Sequence, residues 1–194
     1  MEANIIYNID CLTGLRNLPD DSIDCCVTSP PYFNLRDYGV SGQIGLEDTP
    51  EQYIQKLVGV FHEVRRVLAP AGTLWVNIGD CYAGSGKGAA NYPDNAMKYK
   101  QGTNRGTVGR SAIVKKFDGY KSKDLIGIPW MLAFALRADG WFLRQDIIWA
   151  KPNPMPESMK DRCTKSHEYI FLLTKSPKYY FDCEAIHEKA VTSG

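Results

Sequence analysis

The chain has 194 residues, enough for one domain of ordinary size, and its 44% apolar and 23% charged residues are typical of a soluble globular protein. No stretch approaches the roughly 20 apolar residues of a membrane span, and the N-terminus lacks the basic region of a signal peptide, so we expect a cytoplasmic protein of a bacterium or phage. The six cysteines include no C-x-x-C pair and the three histidines do not cluster near them, which favours reduced cysteines over disulfides or zinc. We therefore predict no metal site.

The first predicted elements come from short apolar patterns. Residues 5–9 are rich in β-forming side chains and predict a strand ending at Asp10. Leu12, Leu15 and Leu18 follow at helical spacing and stop at a proline. Residues 23–28 form an apolar run that is typical of a buried parallel strand and ends at a polar turn.

The clearest helix begins after Thr49, a good N-cap that Pro50 and Gln52 follow in a capping-box arrangement. Its apolar residues recur at helical spacing as far as Leu68, and residues 73–78 then predict a second buried strand closed by Gly79 and Asp80. Strand, helix and strand in this order form a βαβ crossover, which implies a parallel sheet.

Residues 84–123 predict a basic, glycine-rich insertion loop with no lasting apolar period, in which disorder is one possibility. The segment 84–124 has nine basic and three acidic residues, a net charge of +6 against −5 for the remainder of the chain. Such an asymmetry indicates a segment that faces a polyanion. The alternative is a solvated loop.

The last elements are a helix over residues 129–138 and strands over 141–150 and 168–174, which a proline-rich loop joins without a crossover helix. These two strands are expected to pair antiparallel. In all, roughly five strands and three helices predict an α/β fold with a mostly parallel sheet and an antiparallel pair at one edge. Ligands bind at the carboxyl ends of strands in such sheets, where Asp10, Ser29 and Gly79 all lie.

The turn Ser29-Pro30-Pro31-Tyr32 carries the strongest chemical signal. An exocyclic base amine needs an acceptor to turn its nitrogen towards an electrophile, and the Ser29 hydroxyl and Pro30 carbonyl offer two. Two prolines stiffen the backbone around that carbonyl. Tyr32 offers a flat face on which an extruded base can stack. The alternative for these residues is a rigid turn without chemistry.

This turn resembles the catalytic motif of amino-specific DNA methyltransferases, Asp/Asn/Ser-Pro-Pro-Tyr/Phe. The flanking Asp10-Cys11-Leu12, Asn34 to Gly39, Trp149 to Pro156 and His167-Glu168-Tyr169 are similar to the β-type motif order of that family, and the resemblance covers essentially the whole chain. It implies a Rossmann-like methyltransferase fold, a single catalytic domain over 1–194, S-adenosylmethionine as cofactor and double-stranded DNA as partner. It also implies a place in DNA methylation and restriction-modification by base flipping.

The resemblance implies roles for particular residues. The catalytic set is Ser29, Pro30, Pro31 and Tyr32, and the cofactor would contact Asp10, Cys11, Thr28 and Ser29, although Asp10 is equally an ordinary helix cap. Serine at the first motif position is commoner among enzymes that act on N4 of cytosine, so N4 is favoured over N6 of adenine. The residues expected to contact DNA are all basic: Lys87, Lys98, Lys100, Arg105, Arg110, Lys115, Lys116 and Lys151.

The glycine loop of the Phe-x-Gly-x-Gly type, which cradles the cofactor in this family, is not found in the sequence. The β-type order would place it beyond residue 194. We therefore expect an incomplete catalytic domain that depends on a second subunit or a missing C-terminal half. The alternatives are a methyltransferase for RNA or a protein amide, and a non-catalytic DNA-binding fragment or subunit.

Overall fold

The computed structural model describes residues 4–84, 117–157 and 159–188. Three helices and one sheet of four strands form this part of the chain. In chain order they are α1 Cys11–Arg16, β1 Ile23–Thr28, α2 Pro50–Val67, β2 Leu68–Ile78, α3 Ile128–Ala138, β3 Phe142–Ala150 and β4 His167–Thr174, and a short 3-10 turn, Glu184–Ile186, follows them.

The sheet has the order β1-β2-β4-β3. β1 pairs parallel with β2, whereas β4 runs antiparallel to both β2 and β3. Three of the four strands therefore point the same way, and the antiparallel β3–β4 pair lies at one edge. The predicted α/β fold and its antiparallel edge pair are confirmed. The described sheet is mixed rather than mostly parallel, because one of its three strand pairings is parallel and two are antiparallel.

Helix α2 makes the crossover between the two parallel strands. Thr49 caps it, because its hydroxyl accepts a hydrogen bond from the Gln52 amide at 3.2 Å, and Pro50 occupies the first turn, where its missing N–H costs nothing. The Gln52 side chain accepts from the Asp48 amide at 3.2 Å, one residue before the cap. The polypeptide passes directly from Val67 of α2 to Leu68 of β2, and apolar residues of both elements share one core cluster.

The core lies between α2, α3 and one face of the sheet. Alternate residues of β2 face it, and Leu74, Val76 and Ile78 are completely buried there. Leu57 of α2 and Leu132 of α3 close it from the other side. No helix of the described residues is long and apolar enough to cross a membrane.

Helix α3 is capped by a side chain that is distant in the sequence. Its own N-cap, Gly127, has φ of +85° and provides no side chain. Asp80, just beyond β2, supplies the missing acceptor: its carboxylate accepts hydrogen bonds from the Gly127 and Ile128 amides, both at 3.0 Å. A carboxylate is favourable beside the positive end of a helix, so this contact fixes α3 to the end of the sheet.

The predicted strand over residues 5–9 is wrong. These residues form neither helix nor strand, and the Ile6 side chain is 98% exposed. A strand needs a neighbour for its backbone N–H and C=O groups, and none of the four described strands pairs with this segment. The sheet therefore has one strand fewer than the five expected.

We expect Leu74→Ala to lower the free energy of unfolding by about 2–5 kcal/mol, because it opens a cavity at the centre of the core. The matched control is Val27→Ala in β1, whose side chain is 77% exposed, and we expect it to change stability by no more than about 0.5 kcal/mol. Urea unfolding of both variants measures the difference. Equal losses of stability in the two variants would contradict the placement of Leu74 in the core and of Val27 at the surface.

Candidate functional site

Four chain segments meet at one edge of the sheet. Strands β1 and β2 both end there, because they are parallel and Thr28 pairs with Val76. Antiparallel β4 begins there, since Tyr169 pairs with Ile78, and β3 ends there, since Ala150 pairs with His167. The residues just after β1, near the ends of β2 and β3, and at the start of β4 are therefore neighbours.

The turn after β1 borders a concave pocket of about 270 Å³. Helix α2 holds this turn from behind: the buried Tyr53 hydroxyl donates to the Pro31 carbonyl at 2.8 Å. Burial raises the pKa of Tyr53, so its hydroxyl keeps the proton it donates. The residues that line the pocket are Ser29, Pro30, Pro31, Tyr32, Leu35, Arg36 and Tyr38.

The Tyr32 ring lies against the backbone of Gly79. A Cβ at position 79 would come within 2.8 Å of Cε2 of that ring, closer than real side chains approach. Only glycine leaves room for the ring at this point. The two halves of the site edge, after β1 and after β2, are thus in direct contact.

Two polar side chains hold the hydroxyl at the tip of the Tyr32 side chain. Its oxygen lies 2.9 Å from Asn77 Oδ1 and 2.8 Å from Glu168 Oε2. The Asn77 amide nitrogen in turn donates to the Tyr169 carbonyl at 3.2 Å, and Ser29 Oγ lies 3.5 Å from Asn77 Oδ1. Asn77 therefore links the turn, the Tyr32 ring and β4.

Glu168 is the charged centre of this edge. Lys151 forms an ion pair with it from the end of β3. Burial raises the pKa of the Glu168 carboxyl, but hydrogen bonds from Lys151, Tyr32 and Asn77, together with the Lys151 charge, outweigh burial and bring the pKa below its ordinary value. The carboxylate is consequently ionised at neutral pH.

The Tyr32 phenol is neutral over the whole physiological range. Burial is the largest cause that raises its pKa to about 12, and the Glu168 carboxylate adds to the effect. A hydroxyl has one proton to donate, and a charged acceptor takes it in preference to a neutral amide. We therefore assign the Tyr32 proton to Glu168.

The structure gives Asp10 the capping role that was one of its two interpretations. Its Oδ1 accepts from the Thr13 amide at 3.0 Å and from the Thr13 hydroxyl at 3.1 Å, which starts α1. The backbone hydrogen bond from Thr13 is the main cause of a lowered Asp10 pKa. Burial raises the pKa of the Cys11 thiol, which keeps it protonated. Thr28 is the last residue of β1, directly before the turn.

The predicted DNA contacts fall mostly outside the described residues: Lys87, Lys98, Lys100, Arg105, Arg110, Lys115 and Lys116 all lie between 85 and 116. Lys151 is described, and its ammonium group is paired with Glu168. Two further basic residues follow in the same loop. Arg162 lies over the Tyr82 ring with 4.1 Å from Cζ to the ring centre, and burial lowers the pKa of Lys165.

Sequence reasoning missed what Asn77, Gly79 and Glu168 contribute to the site. Asn77 had a usable signal, because a single polar residue in an apolar strand has to find a hydrogen-bond partner. Glu168 had a weaker signal, because it is a charged residue at the start of an otherwise apolar strand. Nothing in the sequence shows that the Tyr32 ring rests on Gly79, because that contact depends on the register of β1 against β2.

Within residues 4–84, 117–157 and 159–188, one group of side chains has the composition and spacing to hold a metal ion. The ligand atoms of Cys183, Glu184 and His187 lie within 4.8 Å of one another, and all three residues are exposed. Exposed groups of this kind are common without a metal, and the group belongs to the 3-10 turn after β4 and not to the edge that carries Tyr32.

Comparison with known proteins identifies relatives for most of the chain. The DNA methylase family (N6/N4 Mtase) matches residues 23–192. The Type II methyltransferase M.Cfr9I of Citrobacter freundii is 52% identical over 189 residues, which are 97% of this chain and 60% of that protein. This chain thus spans about three fifths of the length of that relative.

Solved structures share the fold. The PvuII DNA methyltransferase (cytosine-N4-specific) aligns with a TM-score of 0.61 and 17% identity, over 93% of this chain and 52% of that one. A protein of Thermus thermophilus, named as a DNA modification methylase and complexed with S-adenosyl-L-methionine, aligns with a TM-score of 0.56 and 22% identity, over 91% and 55%. The Rossmann-like methyltransferase fold expected from the sequence is confirmed.

We expect Gly79→Ala to push the Tyr32 ring out of its position and to cost about 1–3 kcal/mol of stability, as overpacking does. Gly59→Ala is the matched control, because a Cβ there meets open space in the middle of α2, and alanine should stabilise the helix by up to about 1 kcal/mol. Thermal unfolding measures both changes, and a crystal structure of the Gly79 variant locates the ring. An unmoved ring would refute the close contact.

Proposed function

This chain belongs to the DNA methylase family (N6/N4 Mtase), and we propose that it transfers a methyl group from S-adenosylmethionine to the exocyclic amino group of a base flipped out of double-stranded DNA. The observation that carries the proposal is the stiff Ser29–Tyr32 turn at the carboxyl edge of the sheet, beside a pocket that the same four residues line. Ligands of open α/β sheets bind at this edge.

The residues proposed to hold the cofactor are Asp10, Cys11, Thr28 and Ser29. The chemistry of Asp10 fits such a group: it is an exposed carboxylate, and its two oxygens can accept hydrogen bonds from a hydroxyl or amino group in addition to those from Thr13. S-adenosylmethionine, when bound, supplies the electrophilic methyl group. The role of this chain's residues is to bring an amine into line with it.

The base is proposed to be held by three groups. The Ser29 hydroxyl and the Pro30 carbonyl accept hydrogen bonds from its amino N–H groups, which turns the nitrogen lone pair towards the methyl donor. The Pro30 carbonyl has no hydrogen-bond partner among the described residues, whereas Tyr53 occupies the carbonyl of Pro31. Stacking on Tyr32 fixes the plane of the base.

We propose N4 of cytosine as the target, with N6 of adenine as the alternative. In the family that the turn resembles, serine at this position is commoner among enzymes that act on N4 of cytosine, and aspartate or asparagine among those that act on N6 of adenine. The Ser29 hydroxyl is neutral, so it can orient the amine but cannot take a full proton at physiological pH. The Glu168 charge lies behind Tyr32, bound to Lys151. In this arrangement a hydroxyl and a backbone carbonyl are the acceptors offered to the amine, and its proton leaves to solvent after transfer.

The DNA is proposed to lie against the basic segment and the loop between β3 and β4. The segment 84–124 carries a net charge of +6, which attracts phosphates regardless of sequence. Relatives carry the name Type II methyltransferase, which supports a role in restriction-modification in a bacterial cytoplasm.

The first experiment incubates unmethylated DNA with the protein and isotope-labelled S-adenosylmethionine and then analyses the digested nucleosides by mass spectrometry. We expect labelled N4-methylcytosine. Labelled N6-methyladenine would move the target to the alternative base and keep the reaction. Salt-sensitive DNA binding without any label would overturn catalysis by this chain and favour a DNA-binding fragment or subunit.

Tyr32→Ala should lower kcat/KM about 10- to 100-fold, because base–aromatic stacking contributes about 1–3 kcal/mol. Tyr180→Ala is the control, since that tyrosine is exposed and lies far along the chain from the turn. Steady-state methylation assays compare the two, with circular dichroism to establish that both variants fold. Equal activity of Tyr32→Ala and wild type would remove stacking from the mechanism.

A further inference from the structure

We infer that Glu168 is a positioning residue for Tyr32: with Lys151 as its counter-ion, it holds the tyrosine hydroxyl so that the ring stays against Gly79 and beside the base pocket. This inference rests on the proposed function, since it concerns how the base-stacking ring is oriented. Glu168 itself does not line the pocket. It acts on the base only through the ring.

The contacts around Tyr32 leave its ring a single orientation. One edge lies against the Gly79 backbone, where even a methyl group would not fit. The hydroxyl is fixed at 2.8 Å from Glu168 Oε2 and 2.9 Å from Asn77 Oδ1. A ring held by its hydroxyl and along one edge loses little further entropy when a base stacks on it, which favours binding.

Glu168 is a stronger acceptor for the Tyr32 hydroxyl when it is ionised, and Lys151 favours the ionised form. The Glu168 side chain is 18% exposed, so burial opposes its charge. The hydrogen bond and charge of Lys151, together with hydrogen bonds from Tyr32 and Asn77, outweigh burial and lower the pKa of Glu168. Because Lys151 lies directly after β3 and Glu168 is the second residue of β4, the edge pair of strands is what places the charge behind the ring.

Burying most of the Glu168 carboxylate costs free energy, so its position calls for an explanation. A buried ion pair is often no more stabilising than apolar residues of the same size, so stability alone does not account for it. Here the pair meets the one aromatic side chain of the Ser29–Tyr32 turn. Asn77 alone would leave the hydroxyl with a neutral and weaker acceptor.

The test is a double-mutant cycle between Glu168→Gln and Tyr32→Phe, measured as kcat and KM for DNA methylation. Glutamine keeps the size of the side chain and removes its charge. Phenylalanine keeps the ring and removes the hydroxyl. We expect Glu168→Gln to lower kcat about 10- to 100-fold with KM nearly unchanged, because small displacements of a positioned group cost that much.

In the Tyr32→Phe background, Glu168→Gln should have no further effect, since no hydroxyl remains to be held. Lys151→Met should behave like Glu168→Gln. Glu63→Gln is the matched control: Glu63 is ion-paired to Arg66 on α2 and 22% exposed, close to the exposure of Glu168, but lies away from the site edge. Additive losses in the double variant would overturn the inference.

A second readout needs no activity. In protein labelled with carbon-13 at the tyrosine Cζ, the resonance of Tyr32 is the one lost in Tyr32→Phe. We expect Glu168→Gln and Lys151→Met to shift it and Glu63→Gln to leave it in place. A resonance unmoved by Glu168→Gln would refute the contact. Wild type that does not methylate would count against the proposed function, and the resonance would still decide the role of Glu168.

Discussion

The parallel pairing of β1 with β2 is the constraint on which the rest of the site depends. Parallel strands need a crossover, and α2 provides it while burying its apolar face against the sheet. The register that follows, with Thr28 beside Val76, places the Ser29 turn next to Asn77 and Gly79. A register shift of one residue would reverse the face of every side chain in β1 and remove Tyr32 from Gly79.

The acceptors that border the pocket are neutral. A hydroxyl, a backbone carbonyl and an aromatic face line it together with Arg36, whereas the ionised Glu168 carboxylate contacts the far end of the Tyr32 side chain and does not line the pocket. An exocyclic base amine is a neutral donor with a weakly nucleophilic nitrogen. Neutral acceptors can orient it without the strong solvation that a free carboxylate would keep in the pocket.

Local chemistry in the sequence predicted the fold well. The Thr49-Pro50 cap, the apolar period of α2 and the two buried runs around it were sufficient to predict the crossover and its parallel pair. The segment 5–9 misled the prediction because β-propensity describes a residue's fit to a sheet and not the presence of a neighbouring strand.

The Ser29–Tyr32 turn could be recognised in the sequence because the stiffness that two prolines give the backbone is a local property. The contacts of Tyr32 with Asn77 and Glu168 span 45 and 136 residues of sequence, which no short motif encodes.

The cap that Asp80 forms on α3 has a consequence for how this edge meets a polyanion. The amino end of a helix usually offers free N–H groups and a positive partial charge to phosphate. At α3 the first two of these amides already bind the Asp80 carboxylate at 3.0 Å, so the end is neutralised from within. A nucleic-acid phosphate at this position would therefore gain little from the dipole or the amides of α3. Attraction of a polyanion to this edge then depends on cationic side chains such as Arg162, which is ion-paired with Glu157, and the partly buried Lys165.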